Sequence, residues 1–109
     1  MRQHLIRRQL EHDSGVFTAS EAASAGYRHL GFVPAFMDFD TQRVYESRFA
    51  DGRPAPFHLV DGLPDDVVVD RAPSGRVIAV KRSLISGFER NGFFYTRTAA
   101  FRAAREWPL

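Results

Sequence analysis

The sequence predicts an α+β fold: one antiparallel sheet of about five strands, with short helices near the N-terminus and at the C-terminus. Three observations predict it. Between residues 30 and 96, apolar runs of strand length alternate with turn clusters at 38–42, 51–56, 61–62, 72–75 and 91–92. The segments flanking this region, 2–25 and 99–106, instead carry apolar residues at helical spacing. The chain of 109 residues, 44% hydrophobic and 26% charged, fits a single globular domain spanning 1–109 with a core large enough to need no staple.

In chain order, Leu5, Ile6, Gln9 and Leu10 form a stripe with Arg7 and Arg8 opposite, which predicts a helix over 2–12 stopped at Ser14-Gly15. Thr18 and Glu21 have the form of a capping box, with Phe17 at the staple position and Gly26 at the C-cap, predicting a helix over 19–25. Phe32, Val33, Phe36, Met37 and Phe39 make 30–39 too apolar for a surface loop, and Gly31 and Pro34 disfavour a helix, so a strand kinked near Pro34 is expected. The turn at 38–42 and a second strand over 43–49 complete a hairpin. The prolines make 51–56 irregular, and 57–60 fits a short strand. Residues 63–68 read both ways, with a proline and two acids suited to a first helical turn, then valines suited to a strand. A strand over 76–81 with Val77 and Ile78 in the core follows. Asn91-Gly92 accepts the positive φ angles of a type I′ turn, which predicts a hairpin of 84–89 with 93–96 and brings Phe88 near Phe93 or Phe94. Thr98 is placed to cap a last helix over 99–106, with Ala100, Phe101, Ala104 and Trp107 on one side, Arg102 and Arg105 on the other, and Pro108 ending it.

Charge is distributed unevenly. Lys81 is the only lysine beside 14 arginines, a skew that fits a GC-rich bacterial genome as well as it fits selection for guanidinium chemistry. Residues 1–54 balance seven arginines against seven acids. Asp61, Asp65, Asp66 and Asp70 give 61–70 a charge of −4, whereas residues 76–109 hold seven basic residues against Glu89 and Glu106. If arginine has a role in binding, the last third is where the excess lies. With no Cys there is no disulfide framework, thiolate nucleophile or Cys-containing zinc site, and the charge-broken N-terminal residues do not form a secretory h-region, so the expected setting is cytoplasmic.

Few residue patterns carry chemistry. His4, His12, His29 and His58 share no metal-ligand spacing. Asp38, Asp40 and Gln42 are spaced like the first ligands of a calcium loop, but Arg43 stands where its glycine belongs and Phe49 where its bidentate Glu belongs, so no metal is expected. The glycines are isolated at turns, which leaves no phosphate-cradling loop and no expected cofactor. His58 with Asp61 three residues on is the one candidate base and orienter for a hydrolytic enzyme, without any nucleophile motif beside it. Arg48 and Arg53, with Asp51 and Asp61, flank the proline loop and could bind an anion or tie the loop internally. Residues 17–26 resemble the first helix and turn of helix-turn-helix domains; the residues that should form the recognition helix, 27–34, contain a glycine and a proline instead.

The reading that follows is a small non-enzymatic binding module that presents a sheet face or edge to a protein partner or to its own copy, the acidic segment of one chain meeting the basic third of another as a homodimer. An alternative is nucleic-acid binding through Arg82, Arg90, Arg97, Arg102 and Arg105 with Tyr95 stacking on a base. A hydrolase using His58 and Asp61 comes third, and a membrane partner is not expected because no stretch approaches the roughly 20 apolar residues of a spanning helix.

Overall fold

The structure, a computed structural model, describes residues 4–6 and 31–106. Its strands are β1 (His4–Ile6), β2 (Val33–Asp38), β3 (Arg43–Glu46), β4 (Val68–Arg71), β5 (Val77–Lys81), β6 (Leu84–Arg90) and β7 (Phe93–Thr96), followed by helix α1 (Arg97–Glu106). A 3₁₀ turn, Asp65–Val67, leads into β4. The α+β class holds. The single sheet does not, because the strands divide into a three-stranded sheet, β1-β5-β4, and a four-stranded sheet, β3-β2-β6-β7, all antiparallel. The expected helix over 2–12 is also corrected at its start: residues 4–6 are a strand whose backbone pairs with β5, Leu5 opposite Val80. An isolated helix of that length is marginal in water, so an available ladder can outweigh a helical stripe. The predicted helix over 19–25, and the helix-turn-helix resemblance with it, lie outside the described residues.

The hairpins form where the turn chemistry places them. Asn91 and Gly92 adopt φ of 54° and 85°, and this two-residue turn sets the β6–β7 register at Arg90 opposite Phe93, Glu89 opposite Phe94 and Phe88 opposite Tyr95. Phe88 therefore faces Tyr95, one pair further from the turn than expected. Pro34 sits inside β2 and its carbonyl accepts from the Ser47 amide just past the end of β3, so the missing proline donor falls where the β2–β3 ladder has stopped. The ambiguous stretch resolves in both senses: Pro64 precedes the 3₁₀ turn with Asp65 and Asp66 in it, and Val68 begins β4.

Residues 57–60 do not form the expected strand. The buried Ser47 replaces the ladder there, its hydroxyl donating to the Phe57 carbonyl at 2.8 Å and accepting from the Leu59 amide at 2.8 Å. Of the predicted core pair on β5, Val77 is buried and Ile78 is 43% exposed, as alternation along a strand requires. Helix α1 starts two residues earlier than expected. Thr96, not Thr98, is its cap, with its hydroxyl accepting from the Ala99 amide at 3.1 Å.

The β2–β6 register places Pro34, Phe36 and Asp38 beside Phe88, Ser86 and Leu84 on one face of the four-stranded sheet. The near end of that face packs Phe36 and Leu84 against Val77 and Val80 of β5, Val67, and Val60 and Leu63 from the preceding loop. At the far end Phe32 and Phe88 pack against Ala100, with Ala103, Ala104 and Tyr95 beside them. The inward stripe of α1 is thus alanine at 100, 103 and 104, the spacing of one helix face. Phe101, expected with Ala100 and Ala104, is 41% exposed.

Candidate functional site

His58 stands between the two core clusters. Its ring makes edge contacts with Phe36 of one cluster (centroids 5.5 Å) and Phe88 of the other (5.4 Å). Nε2 lies 2.7 Å from the Gly87 carbonyl, which can only accept, so the neutral ring carries its proton on Nε2. Burial pushes its pKa down from 6.5 to about 4, the Arg97 charge pushes the same way, and hydrogen bonding to the Gly87 and Ala35 backbone opposes both. Asp61, the orienter expected from the sequence, accepts from the Val77 amide at 3.2 Å and is not a partner of His58. The structure therefore does not bring the two residues together, and the imidazole bridges packing clusters with its donor directed at backbone.

A second polar group joins the two sheets. Asp38, 1% exposed, accepts from Lys81 Nζ (2.7 Å) and Ser83 Oγ (2.6 Å), and its carboxylate also takes the Asp40 amide at 3.0 Å. Burial raises the Asp38 pKa, but the bonds to Lys81, Ser83 and Asp40 outweigh it and leave the carboxyl below its ordinary value. Lys81 is held above its own, first by the Asp38 bond. Both stay charged at neutral pH, and neither is poised to exchange a proton there. The only lysine of the chain thus clamps the β2–β3 turn to the β5–β6 turn, where the chain passes from one sheet into the other. Asp38 and Asp40, met as a calcium-like spacing, are spent on this clamp, and no cluster of three or more His, Asp or Glu suited to a metal occurs among the described residues.

Arg48 and Arg53 serve the proline loop. Arg48 donates to the Gly52 carbonyl (2.9 Å) and reaches Glu46 (3.4 Å); Arg53 pairs with Asp51 (2.7 Å) and lies over the Phe49 ring at 5.1 Å. Beside this loop a cleft of about 500 Å³ is lined by Asp61, Gly62, Leu63, Arg71, Ser74 and Arg76, among others. Arg71 is engaged there by Asp65 at 2.9 Å and by the Leu63 and Gly75 carbonyls.

The basic C-terminal residues fall into three groups. Arg82 lies in the β5–β6 turn, at the opposite end of β6 from Arg90, a span of about 20 Å at strand rise. Arg90 and Arg97 are used within the fold. The Arg90 guanidinium covers the Phe32 ring (4.7 Å) and the Tyr95 ring (5.5 Å), which themselves meet edge to face at 5.1 Å, and Arg97 donates to Ser86 Oγ. Only Arg102 and Arg105 project from the exposed side of α1, Arg105 lying over Phe101 at 5.5 Å. Tyr95 is half-buried, whereas Phe93 is 69% exposed at the hairpin tip. The six residues expected to bind nucleic acid are therefore not one surface: Arg82 is remote, Arg97 faces inward, and Tyr95 with Arg90 packs on Phe32.

Sequence reasoning missed the exposure of Phe93 and Phe101. The turn register held the signal for Phe93, since a residue directly after a two-residue turn overhangs the tip.

Comparison of the chain with protein-family models, with curated proteins and with solved structures finds no match. No described helix is long and apolar enough to cross a membrane.

Proposed function

We propose that this chain is a small non-enzymatic interaction module whose binding surface is the end of the molecule built by the β6–β7 hairpin and α1. The observation that carries the reading is the exposure of two large aromatic side chains on these elements, Phe93 at the hairpin tip, cross-strand from Arg90, and Phe101 beneath the Arg105 guanidinium. Exposed aromatics next to guanidinium groups are the side chains that dominate interface energetics. The ionisable groups in the interior support the same reading, because His58 and the Asp38–Lys81 pair are committed to packing and to the inter-sheet clamp. A cytoplasmic location belongs to this proposal, on the Cys-free composition.

The test is site-specific photocross-linking, with a benzophenone side chain at position 93 and, as control, at Phe39, which is 65% exposed in the β2–β3 turn. A discrete adduct from position 93 and none from 39 supports the reading; no adduct from either, or equal adducts from both, overturns it. Nucleic-acid binding is the second reading, favoured by Arg102, Arg105 and Phe101 sharing the exposed side of α1. A gel shift at about 50 mM salt with single- and double-stranded oligonucleotides tests it, and no retardation of either removes it.

A further inference from the structure

We propose that the outer edge of β7 pairs with β7 of a second copy of this chain, as a two-fold antiparallel ladder that joins two four-stranded sheets into one of eight. The proposal rests on the interaction-module reading and names its partner. In the β6–β7 register, the pairs next to the two-residue turn alternate, so Phe93 and Tyr95 aim their backbone groups at β6 while Phe94 and Thr96 aim theirs outward. Neither outward amide has a partner among the described residues, and β6 is the one strand that pairs with β7 there.

Two other edges, β3 and β4, carry features that resist pairing. Strand β3 bears Arg43 and Glu46, and β4 bears Asp70 and Arg71 with two register shifts against β5. Strand β7 reads Phe-Phe-Tyr-Thr, without charge, proline or bulge.

The strand is self-complementary about Phe94. A two-fold axis there lets each Phe94 amide donate to the Phe94 carbonyl of the other copy, sets Thr96 opposite Gly92, and sets Phe93 opposite Tyr95 in the close, non-hydrogen-bonded pairing. No like charges meet in these pairs. The 69% exposed Phe93 ring gains an aromatic partner, and the contact closes on itself as an isologous dimer rather than a fibre. Helix α1 turns back over the sheet face, where Ala100 packs on Phe32 and Phe88.

Light scattering coupled to size exclusion, across protein concentration and at low and high salt, tests the pairing together with amide exchange and a Phe93→Lys variant. The expected result is a dimer at twice the 12.4 kDa chain mass that survives high salt, with Phe94 and Thr96 amides protected in the dimer and exchanging freely on dilution. Phe93→Lys should weaken association at least about tenfold without shifting the thermal midpoint of the monomer, since Phe93 contributes little to its packing. A dimer that dissolves at high salt, one indifferent to Phe93→Lys, or one whose Phe94 and Thr96 amides stay unprotected overturns the pairing. A monomer at every concentration also overturns it; if the position-93 cross-linker still captures another molecule, the interaction-module reading stands without it, and if it captures none, both fall.

Discussion

Lowering the pH from about 7.5 to about 5 is expected to cost the folded chain about 2 kcal/mol through His58 alone. In the unfolded chain this imidazole titrates at 6.5, and in the fold burial holds it at about 4. The unfolded chain therefore takes the proton first. The stability contributed by the neutral ring is fully present above 6.5 and is lost as the pH falls through about 4, where the total approaches about 3.4 kcal/mol for two and a half pKa units. Near pH 5 the unfolded ring is almost fully protonated and the folded ring almost fully neutral, which gives the intermediate figure. Urea denaturation of the native chain and of His58→Gln at both pH values measures it. Glutamine keeps a donor for the Gly87 carbonyl and does not titrate. Glu89 acts in the opposite sense, because burial and then its bond to Glu46 raise its pKa and it stabilises the fold by taking up a proton as the pH falls. Both chains carry Glu89 and the other three histidines, so the difference between them isolates His58. If His58→Gln loses as much stability as the native chain between the two pH values, the ring is not held neutral by burial between Phe36 and Phe88, and the reasoning fails.

Three further substitutions probe other parts of the fold. Gly87→Ala should lower stability by about 2 kcal/mol in urea denaturation, because its Cβ would lie 2.3 Å from the Tyr95 carbonyl oxygen and 2.5 Å from the Phe94 ring; an unchanged midpoint would mean that the hairpin does not close over Gly87 as described. Lys81→Met should lower the urea midpoint at neutral pH by leaving the buried Asp38 carboxylate without its cation, and much of that loss should be recovered in the Asp38→Asn, Lys81→Met double variant, where no charge is left uncompensated. Thr96→Ala should cost about 1 kcal/mol and reduce the helical circular dichroism signal, whereas Thr98→Ala should leave both unchanged.

Turns were legible in the sequence where the chemistry is local, whereas the start of α1 was misplaced by two residues, with Thr96 and not Thr98 as its cap. Asn91-Gly92 needs only its own φ angles to set a hairpin, and Pro64-Asp65-Asp66 needs only its own backbone to start a turn before the valines of β4. Ala100 and Ala104 of α1 could be placed on one face by spacing alone, although Ala103 was not placed there and Phe101 was placed there wrongly, since the sides were decided by where Phe32 and Phe88 lie. Residues 57–60 failed for the reverse reason. Their strand-like composition was met by a single hydroxyl, Ser47, ten residues upstream of Phe57, and not by another strand.

For the candidate site the division is sharper. Charge counts located the basic excess in the last third, and that was correct as arithmetic. Which arginines face solvent depended on Phe32, Tyr95 and Ser86, which cover Arg90 and hold Arg97. His58 and Asp61 are three residues apart in the chain, yet the fold directs one to Gly87 and the other to Val77. The sequence by itself determined the α+β class, the hairpin turns and the C-terminal helix, because those depend on φ preferences, caps and periodicity within a few residues. Only the tertiary structure decided that the strands form two sheets, that the chain's one lysine clamps them, and that, among the described residues, β7 is an uncharged edge. Those outcomes depend on pairings between residues as distant as Leu5 and Val80, which no local pattern encodes.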